Sequence, residues 1–465
     1  MKICLIATFF LLSVTSNSQN INLKINESLK AINKGELETI IRYFYSNTNN
    51  AKNYTDYFAN GIAVGLKYQS KTFKKFQFIT SSHFIYNISS SDFTVPDVQT
   101  GQVNRYDVGL FDVSNPGRKD LFRVEEFNIK FQSQKVIAKF GRQLLNTPFI
   151  NLQDGRLRPT AIEGLWYNFS SKKIKINFGY FYAIAPRSTA KWYSIGNSFG
   201  LYPQGVNQLG AAGNYYGNIH SKYILLSSVE IKPSEKIQIQ LWNQHINNVS
   251  NTTLFQTDIE HKINKKEKFI AGFQLIKQFA VNNGGNADAS KTYLQKNQEA
   301  FIFSSKMGYK KTNWETSINY TKISKQGQYT MPREWGKDPF YTFMPRERNE
   351  GFGNVDALVV RVIYSKPNSK FKSEISFGNF NLPDARNATL NKYPMPSYQQ
   401  LNIDVKYNFS KWIKGLEGQF LFVRKFATGN TYNNGKFIIN KVDMSIINLI
   451  LNYKFKFYPH TRRVQ

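Results

Sequence analysis

From Leu401 to Phe409 the chain reads Leu-Asn-Ile-Asp-Val-Lys-Tyr-Asn-Phe, apolar at odd positions and polar or charged at even ones. Successive side chains of a strand point to opposite faces, so this segment has one oily face and one wet face. The alternation recurs near 37–46, 61–70, 75–88, 121–132, 134–143, 161–169, 173–183, 220–231 and 235–246. It continues near 252–263, 267–277, 300–309, 312–323, 354–365, 370–380, 398–409, 414–425 and 443–455. Segments of about ten residues match a tilted strand crossing a bilayer. About eighteen of them form an even set, in the size range that encloses an aqueous channel. The pattern predicts an all-β transmembrane antiparallel barrel.

The connections and the aromatic residues agree with this reading. Short polar links such as Gln132-Ser133-Gln134, Ser170-Ser171-Lys172 and Asn264-Lys265-Lys266 alternate with longer ones rich in Gly, Pro and Asn. Short periplasmic turns and long extracellular loops are the usual asymmetry of such barrels. Tyr68, Phe76, Phe131, Phe169, Phe269, Tyr309, Trp314, Tyr364, Phe371, Phe409 and Phe455 share the lipid-facing parity beside the short-turn rim. A soluble sandwich has no reason to sort its rings by end, whereas a membrane interface does.

Composition then adjusts the picture. Met1-Lys2-Ile3-Cys4, the apolar run to Val14 and Ser16-Asn17-Ser18 read as a signal peptide over 1–18. The expected order is then a periplasmic N-terminal segment at 19–36, the barrel at 37–455 and a periplasmic tail at 456–465. The only cysteine, Cys4, falls in the signal segment. No later stretch offers about twenty consecutive apolar residues, which argues against membrane-spanning helices. The mean hydropathy of −0.44 suits a wet-lumen barrel as well as a soluble protein, since half of each strand is polar. A net charge of +30 invites nucleic acid, but the basic residues are dispersed and the chain is exported.

Parity assigns Arg42, Lys67, Lys130, Lys139, Lys173, Lys175, Lys306, Arg361, Lys372 and Lys406 to the lumen wall, with Glu374 and Asp404 among the carboxylates. Facing lipid at midplane, each Lys or Arg would cost on the order of 2–4 kcal/mol. Arg142 shares the outward parity of Phe140, at the outer rim, where lipopolysaccharide phosphate is as much an expected partner as solute. Two long loops carry charge on a stiff frame. Loop 144–160 holds Asp154, Arg156 and Arg158. Loop 324–353 holds Arg333, Glu334, Lys337, Asp338, Arg346, Glu347 and Arg348 among prolines. A guanidinium grips a carboxylate bidentately and a nearby carboxylate holds an ammonium, so both loops are expected to fold inward as a constriction. Gly196-Asn197-Ser198-Phe199-Gly200 matches G-x-S-x-G but lacks the strand and helix a nucleophile needs around it. Asn282, Asn283, Asn286 and Asp288 read as ordinary loop chemistry, not as a metal site. No catalytic residue, cofactor or metal is expected.

Four segments resemble the OprD-like family of substrate-specific outer-membrane porins: 141–166, 185–207, 329–353 and 390–409, the third reading YTMPREWGKDPFYTFMPRERNEGFG. The resemblance implies a monomeric eighteen-stranded barrel whose third and seventh extracellular loops narrow the pore. It also implies selective uptake of small solutes bearing a carboxylate, guided by basic side chains. Such barrels usually end on an aromatic residue, here Phe455, whereas this chain runs on to Gln465. The expected function is passive diffusion of amino acids, small peptides or organic acids through the outer membrane. The expected partners are small anionic or zwitterionic solutes, outer-membrane lipid and lipopolysaccharide, and the barrel-insertion machinery, but no nucleic acid. The competing reading is an exported β-rich surface protein that binds acidic glycans.

Overall fold

The computed structural model describes residues 35–152, 156–366 and 369–457. The expected signal peptide, most of the N-terminal segment, Asp154 and nearly all of the C-terminal tail therefore lie outside the described residues. Eighteen long strands run in order: β1 (Glu36–Asn49), β2 (Tyr57–Gln69), β3 (Phe76–Ser90), β4 (Asp120–Gln132), β5 (Val136–Gln143) and β6 (Ala161–Ser170). Next come β7 (Ile174–Ala185), β8 (Ile224–Ser234), β9 (Ile237–Ile246), β10 (Ser250–Lys262), β11 (Glu267–Ala280) and β12 (Glu299–Lys311). The last six are β13 (Trp314–Ile323), β14 (Val355–Ser365), β15 (Phe371–Asn381), β16 (Tyr398–Asn408), β17 (Leu416–Ala427) and β18 (Met444–Phe457).

Each strand pairs antiparallel with the next, and β1 pairs with β18 from Leu37↔Phe457 to Asn49↔Ser445, closing the barrel. Closure leaves no sheet edge to satisfy in lipid. A two-residue strand, Tyr193–Ser194, adds onto the outer end of β7.

The alternation lands as expected on the outside. Leu66, Phe122, Phe140, Ile318 and Ile375 all stand exposed on the barrel wall, where hydrocarbon would meet them. At the short-turn rim, ring contacts link Phe76 to Phe131 at 5.3 Å, Trp314 to Tyr364 at 4.9 Å, and Tyr364 to Phe371 at 6.0 Å. These cross-strand pairs form the expected interfacial girdle.

The inside is less wet than alternation alone suggests. In β14, Leu358 and Val360 face out, yet Val355, Ala357 and Val359 are fully buried facing in. They join a core in which Trp335, Phe340, Met344 and Phe352 of the seventh outer loop pack with Phe149 of the third and Phe199 of the fourth. Strands covered on both faces lose their alternation, and here inward-folded loops provide the second cover. Bulges also shift the phase. Opposite Ser81–Ser82, β4 carries an extra residue, so Glu125 and Glu126 are both buried on the lumen side.

Candidate functional site

The third outer loop docks on the seventh around Asn151. Asn151 accepts from the Lys337 N–H at 3.1 Å and donates its amide to the Lys337 carbonyl at 3.1 Å. The Asn151 N–H donates to the Trp335 carbonyl at 3.2 Å, and the Thr160 hydroxyl donates to the Glu334 carbonyl at 3.3 Å. Gly336 lies between these contacts because a Cβ there would stand 2.7 Å from the Asn151 side chain. Trp335 is fully buried, its indole N–H donating to the Ser198 hydroxyl at 3.0 Å and its ring packing 5.0 Å from Phe199. Ser198 of the G-x-S-x-G match is thus a structural hydroxyl, bonded also to the Ile195 carbonyl.

Above this plug lies a cavity of about 380 Å³. Arg105, Arg156, Arg187, Arg333, Arg346 and Arg348 line it, with Glu347 as the only carboxylate among the described residues. The second loop brings Arg105, the fourth brings Arg187, and the third and seventh bring the rest. Tyr106, Tyr202 and Tyr393 add rings, and Phe93, Val103 and Leu201 add apolar wall. Arg156 and Arg346 hold left-handed φ values of +49° and +76°, conformations that L residues adopt only where the surroundings impose them.

Glu347 is the hub. It accepts from Lys425 at 2.7 Å, from Arg105 at 3.1 Å and from the Tyr106 hydroxyl at 3.3 Å, with an Arg333 nitrogen at 3.6 Å. Burial alone would raise this carboxyl, but Arg105, Lys425 and Arg333 outweigh it and hold the group well below the usual carboxylate range. Arg333 also pairs with Glu350 and lies 3.8 Å from the centre of the Tyr393 ring. Arg348 donates to the Arg333 carbonyl at 2.8 Å; burial, followed by Arg187 and Arg333, lowers its pKa to about 10.

The expected constriction residues divide into two groups. Arg156, Arg333, Arg346, Glu347 and Arg348 line the cavity. Arg158 does not: it is buried, with Nε donating to the Arg187 carbonyl at 3.2 Å, and burial followed by Arg123 lowers its pKa to about 9. Glu334 is buried and accepts from the Tyr202 N–H at 3.0 Å. Asp338 accepts from the Asn349 N–H at 2.6 Å; burial and Glu350 raise its pKa to about 7 against Arg348. Lys337 sits over the Phe343 ring at 4.9 Å.

The wall residues divide similarly. Lys306 lies 3.8 Å from Asp258, which also accepts from the Tyr341 hydroxyl at 2.8 Å. Arg361 pairs with Glu374 at 2.9 Å and donates to the Phe343 carbonyl at 2.8 Å. Both therefore anchor the seventh loop to the wall. Arg42 bonds Asn452 at 3.0 Å across the closing seam. Lys67 pairs with Glu126 at 2.8 Å, while Lys130 and Lys139 stand opposite each other in the β4–β5 register. Lys175 pairs with Glu230 at 2.9 Å, Lys406 lies 3.5 Å from Asp404, and Lys372 stands opposite Lys406. Lys173 is the correction. It lies in the turn before β7, where its carbonyl accepts from the Lys232 N–H, because the strand begins one residue later than its alternation suggests. Arg142 pairs with Glu163 at 3.1 Å and lies 4.7 Å from the Trp192 ring. Asn282 and Asn286 serve other loop segments, bonding Asn248 and the Asn218 carbonyl.

Arg105, Tyr106, Arg187 and Lys425 are the contributors that alternation and loop composition missed. Arg187 does fall in segment 185–207, one of those carrying the family resemblance. Arg105 and Glu347 are 242 residues apart, so no local pattern joins them.

A family model described as the outer membrane porin, OprD family, matches residues 118–342. A search of curated proteins returned no match. Among solved structures, the chain is similar to OccK9 (OpdG) of Pseudomonas aeruginosa, with a TM-score of 0.71 at 12% identity over 92% of this chain and 100% of that one. It is also similar to OccAB3 of Acinetobacter baumannii, with a TM-score of 0.70 at 12% identity over 91% and 99%. OpdK of Pseudomonas aeruginosa, in a crystal structure with vanillate, gives a TM-score of 0.68 at 14% identity over 91% and 99%. The closed eighteen-strand barrel and the family match together define an outer-membrane β-barrel porin. Across residues 118–342 it is similar to the OprD-like porins. A soluble glycan-binding sandwich is not favoured.

Proposed function

We propose that this porin passes small solutes bearing a carboxylate (amino acids, small peptides or organic acids) by passive diffusion through the arginine-lined cavity. The observation that carries the reading is the lining of that cavity: among the described residues, six guanidinium side chains and one carboxylate, with that carboxylate already engaged by three cations. An incoming carboxylate exchanges water for guanidinium contacts while its apolar portion meets Tyr202, Leu201 and Tyr393. On the wall, Lys67 pairs with Glu126 while Lys130 and Lys139 stand opposite each other, and these lysines provide a second, weaker station. Several weak sites keep a solute moving where one tight site would hold it. OpdK, of the same fold, has been crystallised with vanillate, an aromatic carboxylate, which supports this class of solute.

The barrel acts as a monomer, inserted by the cell's barrel-assembly machinery, and catalyses no reaction. Swelling of proteoliposomes in matched carboxylates and neutral amides tests the selectivity. The carboxylates are expected to enter several-fold faster, and Arg156→Ala is expected to narrow the gap. Equal rates for both series would remove carboxylate selection from the account.

A further inference from the structure

The basic residues are sorted by height. Every periplasmic turn except Thr312-Asn313 carries lysine, none carries arginine, and Glu235 is the only acidic residue in any of them. Just above the turns several lysines meet carboxylates: Lys268 pairs with Glu260, and Lys311 with Glu267, both at 2.9 Å. The turns themselves add lysines with almost no acidic neighbour in the same turn, among them Lys71, Lys74, Lys75, Lys265, Lys411 and Lys414, all exposed.

A second feature runs through the same turns. Phe73, Ile263, Trp412 and Ile413 are each at least half exposed, and they alternate with the lysines. Lys74 Nζ lies 5.5 Å from the Phe73 ring centre, and Trp412 packs 5.9 Å from Phe409 of the girdle. A surface meant for peptidoglycan or for an acidic soluble protein needs charge alone. Rings and branched aliphatics continuing the girdle downward belong at the depth where acyl chains meet headgroups.

We propose that the turns form a lysine collar that binds the phosphates of anionic phospholipids in the periplasmic leaflet. The ammonium groups reach the phosphates while Phe73, Trp412 and Ile413 enter the acyl boundary beside them. A lysine near an anionic membrane surface favours binding by about five-fold, so the effect accumulates over the ring.

The test uses the full-length protein, purified in detergent and presented with equal phosphatidylglycerol and phosphatidylcholine, with co-isolated lipid counted by native mass spectrometry. Wild type is expected to retain phosphatidylglycerol at least several-fold over phosphatidylcholine. The quadruple variant Lys74→Gln, Lys75→Gln, Lys411→Gln, Lys414→Gln is expected to lose most of that preference. A control, Lys291→Gln with Lys296→Gln in the sixth outer loop, is expected to keep it. A heat-shifted gel band checks that each variant is folded, and a misfolding quadruple is replaced by the two turn pairs tested separately. Equal retention of the two lipids by wild type, or equal loss in the control, would overturn the proposal. So would displacement of phosphatidylglycerol from wild type by peptidoglycan fragments. Loss of carboxylate selectivity in the channel would leave this result unaffected, so the two readings fail separately.

Discussion

The outer cavity and the periplasmic collar both gather positive charge, yet they are built from different residues in different surroundings. Above, arginines are held by loop packing: Arg348 donates to the Arg333 carbonyl, Arg333 lies against Tyr393, and Arg346 donates to Asn448 at 2.8 Å. Below, lysines stand in water on short turns, with few fixed partners. A planar guanidinium presented rigidly selects by geometry, whereas a hydrated ammonium on a flexible stem attracts by charge alone. The difference teaches that the formal charge of +30 is not one property of this protein. Cavity and collar are separate parts of it, and each is expected to be removable without the other.

The largest effect is expected at the hub. Glu347→Gln leaves the buried Lys425 and the partly buried Arg105 and Arg333 around a neutral amide, which costs on the order of 3 kcal/mol. The seventh loop should then be cut faster by protease in folded barrels and the open channel should flicker, while the collar keeps its lipid preference. Unchanged digestion would mean that the arginines hold their places without the hub.

Arg156 and Arg158 sharpen the comparison at shorter range, since they are two residues apart with opposite placements. Arg158→Ala removes a buried anchor and is expected to loosen the third loop by about 2 kcal/mol, read as faster proteolysis. Arg156→Ala removes a cavity-lining group and should change solute preference by several-fold with little change in proteolysis. The same phenotype from both variants would erase the distinction between lining and anchoring.

A smaller effect follows pH. Asp338 titrates at about 7 in the folded loop against an ordinary 3.8, because burial and Glu350 disfavour its charge. Between those values the folded loop keeps a proton that the unfolded chain has lost. Its stabilising contribution is therefore present at low pH and is lost as pH rises toward 7. Protease sensitivity of the seventh loop should increase from about pH 5 to about pH 8 in wild type, and Asp338→Asn should flatten the trend. A trend of the opposite sign would contradict the assignment.

The barrel was legible because lipid imposes one rule on every strand, and residues such as Leu401, Ile403 and Val405 obey it in local order. The inward packing of the third and seventh loops was legible from their prolines and apolar residues. Three things were hidden. Bulges re-phase β4, so Arg123 joins Glu125 on the lumen side at 2.6 Å although simple counting from Glu126 points it outward. Apolar inward residues such as Val359 make sense only once the seventh loop packs on them. The roles of Arg105 and Arg187 depend on loops meeting across the bore, which no spacing along the chain encodes.

The central claim is that the outer arginines recognise a carboxylate, not merely a small solute. Single-channel recording with benzoate or benzamide added on the extracellular side tests it most directly, because the two differ little in size and mainly in charge. Benzoate is expected to interrupt the current at concentrations where benzamide does not, and Arg156→Ala is expected to weaken the benzoate block. Interruption by benzamide as frequent as by benzoate, or a benzoate block indifferent to Arg156→Ala, would contradict the account.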